Sequence, residues 1–281
     1  MCYKFYCQLN YPPFFVRFPQ LTTIVRTAII EATKIRSCIF ILAVRKIIFT
    51  VCGFISALFI CAFCACKPEG SASDFSALTY IALGDSITEG NDGFSHSGGK
   101  VARPYPSVVK DILNLKESVN RGVGGSTVVT GENSFFSMLE RYPSMPDGEI
   151  ISVLGGVNDF GRSVPLGNID GDTTTFYGAL NALADGLKRK YPDAFIFFMT
   201  PYRCSGIPSV NRLGNTLEQF AQAVKEVCSR HNLPCLDMYN LGGFEKEMND
   251  PRSDGIHPSQ SFYINNTAPQ IADFIKENAL K

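Results

Sequence analysis

The stretch Leu78-Thr-Tyr-Ile-Ala-Leu-Gly-Asp-Ser-Ile-Thr-Glu-Gly90 decides how the chain is read. An apolar run ends at Leu83, and Gly84, Asp85 and Ser86 follow at once. A short apolar run closed by glycine reads as a buried strand. A serine at its exit has two meanings. It can cap the helix that follows, taking an N–H on its hydroxyl. It can also be a nucleophile at the rim of a sheet, with Gly84 freeing the bend. What stands at the other strand exits has to decide.

Outward from this stretch, strand-like and helix-like segments alternate. Strands are expected at Ser118–Asn120, Ile150–Leu154, Phe195–Met199 and Pro234–Met238. Helices are expected at Tyr105–Leu115 (Val108, Val109, Ile112 and Leu113 on one face), Thr173–Lys190 (Phe176, Leu180, Leu183, Leu187), Thr216–His231 (Leu217, Phe220, Ala221, Val224, Val227) and Ser261–Asn278 (Ile271, Phe274, Ile275). Such alternation implies a parallel sheet covered on both faces, a three-layer α/β/α domain over residues 75–281. The central sheet is expected to be five-stranded and mostly parallel. Residues 91–103, 127–146 and 203–215 read as polar, Gly/Ser-rich loops without a long apolar lid.

The 281 residues carry no net charge, but the sign is divided. Residues 1–73 hold 8 Lys and Arg against 2 Asp and Glu, and the acidic excess lies beyond them. No basic patch is present to neutralise phosphates, so nucleic acid is not an expected partner. Arg45-Lys46 precede an uncharged run, Ile47 to Ala65, and Cys66-Lys67-Pro68 follow. Residues 45–66 therefore read as a secretory signal, with Cys66 placed as the lipidated residue of a bacterial lipoprotein. The alternative is a single transmembrane anchor. Either places the domain outside the cytoplasm on a membrane tether. Residues 67–74 read as a flexible linker. Residues 1–44 read as a disordered extension or as the product of a start codon set too far upstream. The next Met after Met1 is Met138. Only Cys204, Cys228 and Cys235 lie beyond Cys66. An odd trio without paired spacing argues against a disulfide framework or a zinc site and for buried free thiols, although Cys228 and Cys235 could pair.

In sheets of this kind ligands sit beyond the carboxyl ends of the strands. Gly84-Asp-Ser86 follows the first strand, Asn120-Arg-Gly-Val-Gly-Gly-Ser126 the second, and Gly155-Gly-Val-Asn-Asp159 the third. Asp254-Gly-Ile-His-Pro258 lies in a late loop. Together they supply a hydroxyl, an imidazole, a carboxylate, a carboxamide and flexible backbone amides, the set that acyl transfer needs. Of the other two histidines, His96 lies in a Gly/Ser-rich loop, and His231 ends a helix, a favourable place for a cation.

These four segments resemble, in order, the four blocks of the SGNH (GDSL) hydrolase superfamily. The resemblance covers most of residues 78–265. It implies Ser86 as nucleophile, His257 as general base and Asp254 as the carboxylate that orients it. It also implies an oxyanion site made of the Ser86 N–H, the Gly125 N–H and the Asn158 side chain. Gly122 and Gly124 compete for the glycine role, and Gly125 is chosen for standing five residues after Asn120, as the family's second block does. Asp85 and Asp159 are expected to hold loops. No cofactor is implied.

Other chemistries fit less well. Gly122-Val-Gly-Gly125 lacks a third small residue at Thr127 for a dinucleotide loop, and Gly99-Lys100 has Phe94 where a P-loop needs glycine. The G-x-S-x-G of α/β-hydrolases is absent around Ser86. The expected activity is hydrolysis of short acyl esters, acetyl above all, on carbohydrate, since family members include glycan deacetylases. A lysophospholipase or thioesterase, and a silent glycan-binding lipoprotein, are the alternatives.

Overall fold

A computed structural model describes residues 74–95 and 98–279. The extension, the signal or anchor segment with Cys66, the linker up to residue 73, and His96 lie outside the described residues. Five strands form one parallel sheet: β1 (Thr79–Gly84), β2 (Glu117–Gly122), β3 (Ile150–Leu154), β4 (Phe195–Met199) and β5 (Cys235–Leu236), in the order β2-β1-β3-β4-β5. β3 is buried along its whole length, and β1 and β4 along all but their first residue. These three central strands read as continuous apolar runs because helices cover both faces. β2 lies at the edge and is half exposed, which is why its sequence, ESVNRG, carries charge.

Helix α1 (Ser86–Glu89) leaves β1 directly, and α2 (Tyr105–Leu113) packs back on β1 and β2. α3 (Met138–Arg141) and α4 (Val157–Gly161) flank β3 in sequence. α5 (Phe176–Lys190) and α6 (Leu217–His231) pack on each other, and α6 also covers β4 and β5. α7 (Phe244–Met248) precedes the last segment, where α8 (Gln260–Phe262) passes through a π-helical turn, Tyr263–Thr267, into α9 (Ala268–Asn278). α9 lies against α2, completing the second helical layer. The three-layer α/β/α architecture expected from the alternation is present.

The helical faces match with one exception. Phe176, Leu180, Leu183 and Leu187 of α5, and the five residues expected of α6, are all buried. Ile112 is not: it is 39% exposed, because Val108, Val109 and Leu113 already fill the narrow stripe α2 turns to the sheet. Thr173 to Thr175 stay outside α5, and Thr216 caps α6 through a reciprocal capping box with Gln219. The segment 127–146 is less loop-like than expected. Val128, Val129, Met138 and Met145 are buried, and Ser137 caps α3 by accepting the Glu140 N–H. Cys204, Cys228 and Cys235 are free thiols, of which Cys228 is buried and the other two half-buried. Among the described residues no helix is long and apolar enough to cross a membrane.

β1 pairs with β2 on one side and β3 on the other, and Gly84 stands in register with Gly122 and with Leu154. The chain steps outward from β1 to β2, then returns past β1 to β3. Three strand exits therefore end level with one another at the point where the winding reverses, the place where open α/β sheets bind ligands.

Candidate active site

Gly84 lets the chain turn off β1 into α1. A Cβ there would stand 2.0 Å from Thr88 Oγ1 and 2.9 Å from the Leu154 carbonyl oxygen. Asp85, not Ser86, caps the helix: its Oδ1 accepts the Ile87 N–H at 3.0 Å. The capping role thus belongs to Asp85 and not to Ser86. Ser86 is the first residue of α1, 7% exposed, and its hydroxyl bonds to His257 Nε2 at 2.8 Å. Its N–H has no partner among the described residues.

His257 comes from the loop between α7 and α8, far along the chain. Its Nδ1 lies 2.6 Å from Asp254 Oδ2, while Asp254 Oδ1 accepts the N–H groups of Ile256 and His257, each at 2.8 Å. Burial pushes the Asp254 carboxyl up, but the His257 ring and these N–H donors outweigh it and hold it below the ordinary range. An ionised carboxylate only accepts, so Nδ1 carries the imidazole proton and Nε2 accepts from Ser86. The loop is fastened from three sides. Asp254 N–H donates to the Gly93 carbonyl at 2.9 Å, and Tyr202 Oη donates to the Ile256 carbonyl at 2.7 Å. The Ser205 and Gly206 N–H groups both donate to the Gly255 carbonyl at 3.0 Å.

The second strand exit is tied to α1. Asn120 Nδ2 donates to the Thr88 carbonyl at 2.7 Å, and Glu89 Oε2 accepts the Gly124 N–H at 3.0 Å. Of the three glycines, Gly122 lies in β2 beside Glu89, and the Gly124 N–H is taken. The Gly125 N–H has no partner among the described residues. Gly125 has φ +75°, a left-handed conformation that suits glycine, and packs under the Phe135 ring. At the third exit Gly156, φ +118°, opens α4, and Asn158 lies in its first turn. Asn158 Nδ2 donates to the Ser126 carbonyl at 3.1 Å and makes a longer contact, 3.4 Å, with Asp85 Oδ2. Because both neighbours are acceptors, the amide orientation is determined.

Asp85 and Asp159 hold backbone, as expected. Asp159 accepts the Val128 N–H at 3.0 Å and the Val129 N–H at 3.4 Å, which fixes the segment after the glycine loop to α4. Both carboxyls are fully buried, and burial pushes Asp85 up to about 6 and Asp159 up to about 7. His231 is structural: its Nε2 meets Asn181 Oδ1 at 2.8 Å. Burial, then Lys188, holds it below the usual imidazole value, so the cation expected at that helix end is disfavoured.

Ser86, Gly125, Asn158 and His257 line one cavity of about 450 Å³, with Asp254 behind the histidine ring. The sequence reading missed three contributors. Arg141, in α3, donates to the carbonyls of Phe136, Arg121 and Gly84 and to Ser126 Oγ, at 2.8 to 3.1 Å. One side chain so joins the ends of β1 and β2 to the glycine loop. Glu89 and Gly93 are the others. Glu89 lies inside the first block, three residues after Ser86, a spacing that places it on the same helical face. Arg141 and Gly93 belong to no motif, and only their contacts reveal them.

Residues 82–263 match the model of the GDSL-like Lipase/Acylhydrolase family. The chain belongs to that family. One solved structure shares 31% identity with it over 74% of this chain and 100% of its own, with a TM-score of 0.67. A possible lipase from Chitinophaga pinensis is 24% identical over 71% of this chain and 98% of its own, TM-score 0.59. A carbohydrate acetylesterase family member from Sinorhizobium meliloti is 16% identical over 71% and 98%, TM-score 0.55. None of the curated proteins matches the chain. Membership makes this GDSL protein a hydrolase of the lipase and esterase type, and the three-layer fold agrees.

Proposed function

We propose that this GDSL hydrolase is a serine esterase that removes short acyl groups, acetyl above all, from carbohydrate through an acyl-serine intermediate. The observation that carries the reading is the 2.8 Å contact between Ser86 Oγ and His257 Nε2, in a cavity also lined by Gly125 and Asn158. Ser86 Oγ attacks the ester carbonyl while Nε2 takes its proton, and Asp254 steadies the imidazolium. The oxyanion is held by the N–H groups of Ser86 and Gly125 and by Asn158 Nδ2, whose long contact to Asp85 is the weaker of its two bonds. The imidazolium then protonates the leaving alcohol, the C–O bond breaks, and water resolves the acyl-serine by the same route.

Carbohydrate is favoured by the polar composition of segments 91–103 and 203–215, which bring Asn91 and Ile207 to the cavity, and by the Sinorhizobium meliloti neighbour named as a carbohydrate acetylesterase family member. The segment 45–66 supports a place outside the cytoplasm, tethered at Cys66 or by an anchor. Incorporation of a palmitate analogue that is lost in Cys66→Ala supports the lipoprotein; incorporation unchanged in that variant excludes it.

The function is tested with p-nitrophenyl esters of increasing acyl length. Acetate turnover by the wild type and its loss in Ser86→Ala are expected, with rates falling as the acyl chain lengthens. Equal rates in the two proteins overturn the serine mechanism. A maximum at long chains overturns the acetyl preference in favour of a lysophospholipase or thioesterase.

A further inference from the structure

The cavity beside Ser86 has one strongly cationic side chain on its wall, and no residue lining it is acidic. That side chain is Arg162, at the C-cap of α4, and the proposed catalysis does not use it. Its N–H donates to the Asn158 carbonyl at 2.9 Å, so the two residues stand one helical turn apart on the same face. Its guanidinium carbon lies 4.7 Å from the centre of the Phe135 ring. Phe135 is 39% exposed, and its edge rests on Gly125. Arg162 is thus seated on an aromatic face at the same wall as the proposed oxyanion donors. An arginine over an aromatic ring keeps its in-plane N–H groups available.

Arg162 has no ion pair among the described residues, unlike Lys100, which pairs with Glu89. No side-chain hydrogen bond is made by its guanidinium among the described residues. Arg162 is exposed at the wall of this partly apolar cavity, and its guanidinium donors have no protein acceptor among the described residues, so they are open to a ligand. Planar two-pronged donors match a carboxylate, sulfate or phosphate.

Resting on the esterase reading, we infer that Arg162 forms an anion subsite and that the substrate is an acyl ester on an acidic saccharide. Its negative group lies on the sugar that bears the ester or on the adjoining one. The anion pairs with Arg162 while the acylated hydroxyl lies at Ser86. Such a pair acts mainly on binding, so it is read in KM.

The test compares mono-O-acetylated methyl glucuronoside with mono-O-acetylated methyl glucoside, which differ in a carboxylate against a hydroxymethyl group. The wild type is expected to prefer the acidic ester in kcat/KM by about tenfold, the size of one charge-assisted hydrogen-bonded contact at a partly exposed site. Arg162→Gln removes that preference, chiefly by raising KM for the acidic ester, and Arg162→Lys keeps part of it. Raising salt from about 0.05 M to about 0.5 M narrows the preference in the wild type itself, which tests the charge without any variant. Equal kcat/KM for the two esters in the wild type, or a preference that survives in Arg162→Gln, overturns the subsite. Hydrolysis by Ser86→Ala at the wild-type rate overturns the esterase reading instead.

Discussion

The Asp254 carboxylate holds His257 at two levels at once: Oδ2 takes the ring Nδ1 at 2.6 Å, and Oδ1 takes the His257 backbone N–H at 2.8 Å. Ring orientation and loop conformation therefore depend on the same group. Asp254→Asn presents an N–H where an acceptor is needed, or forces the other tautomer. It is expected to lower kcat by about 10³ to 10⁴ with little change in KM. Steady-state kinetics on p-nitrophenyl acetate measure it, and a loss below tenfold contradicts the orienting role.

Gly93 is the floor on which that loop sits. A Cβ there would stand 2.2 Å from the His257 carbonyl oxygen and 2.6 Å from Asp254 Oδ1. Neither can yield without moving the imidazole. Gly93→Ala is expected to cost about 10² in kcat, the size typical of a displacement near 1 Å, while the protein stays folded. Kinetics beside a thermal melt separate the two, and full activity in the variant refutes the close approach.

Arg141 makes its four hydrogen bonds from a half-buried position, to the exits of β1 and β2 and to the segment around Ser126. Arg141→Lys keeps the charge but cannot span these acceptors. The expected result is a fall in kcat of about 10-fold to 10², with KM nearly unchanged, because the Gly125 loop loses its position. Partial recovery of Arg141→Ala by added guanidinium is the accompanying signature. A variant that loses stability alone, with kcat intact, assigns Arg141 to folding only.

Burial pushes the Asp159 carboxyl up to about 7, even though the N–H groups of Val128 and Val129 favour its ionised form. The folded protein therefore holds this proton more tightly than the unfolded chain, whose ordinary value is about 3.9. The stability it contributes is complete below that ordinary value and is lost as pH rises through about 7. Asp159→Asn cannot ionise. Urea midpoints measured from about pH 5 to about pH 8 are expected to fall more steeply in the wild type than in this variant. Parallel curves refute it.

How far the chain can be read without coordinates depends on the range of the interactions. β3 and β4 were legible to the residue, since a buried strand must be apolar along its length and glycine or a turn ends it. α5 and α6 were legible from their stripes, while the Thr216 capping box emerged only with the structure. The short helices α1, α3, α4 and α7 were not, because four or five residues are too few for a period to show.

Ser86, His257, Asp254, Gly125 and Asn158 could be named from the sequence because the four segments at the strand exits and in the late loop resemble the blocks of the SGNH hydrolases; residue type alone left Ser86 open between cap and nucleophile. Their convergence was a matter of tertiary structure alone. Parallel register sets Gly84 level with Gly122 and Leu154, and the loop fastened by Gly93 and Tyr202 carries His257 to Ser86 across 171 positions of chain. The same holds for Arg141, Gly93 and Arg162. Their roles lie in contacts between segments distant in the chain, and no local pattern records a contact with a partner that far away.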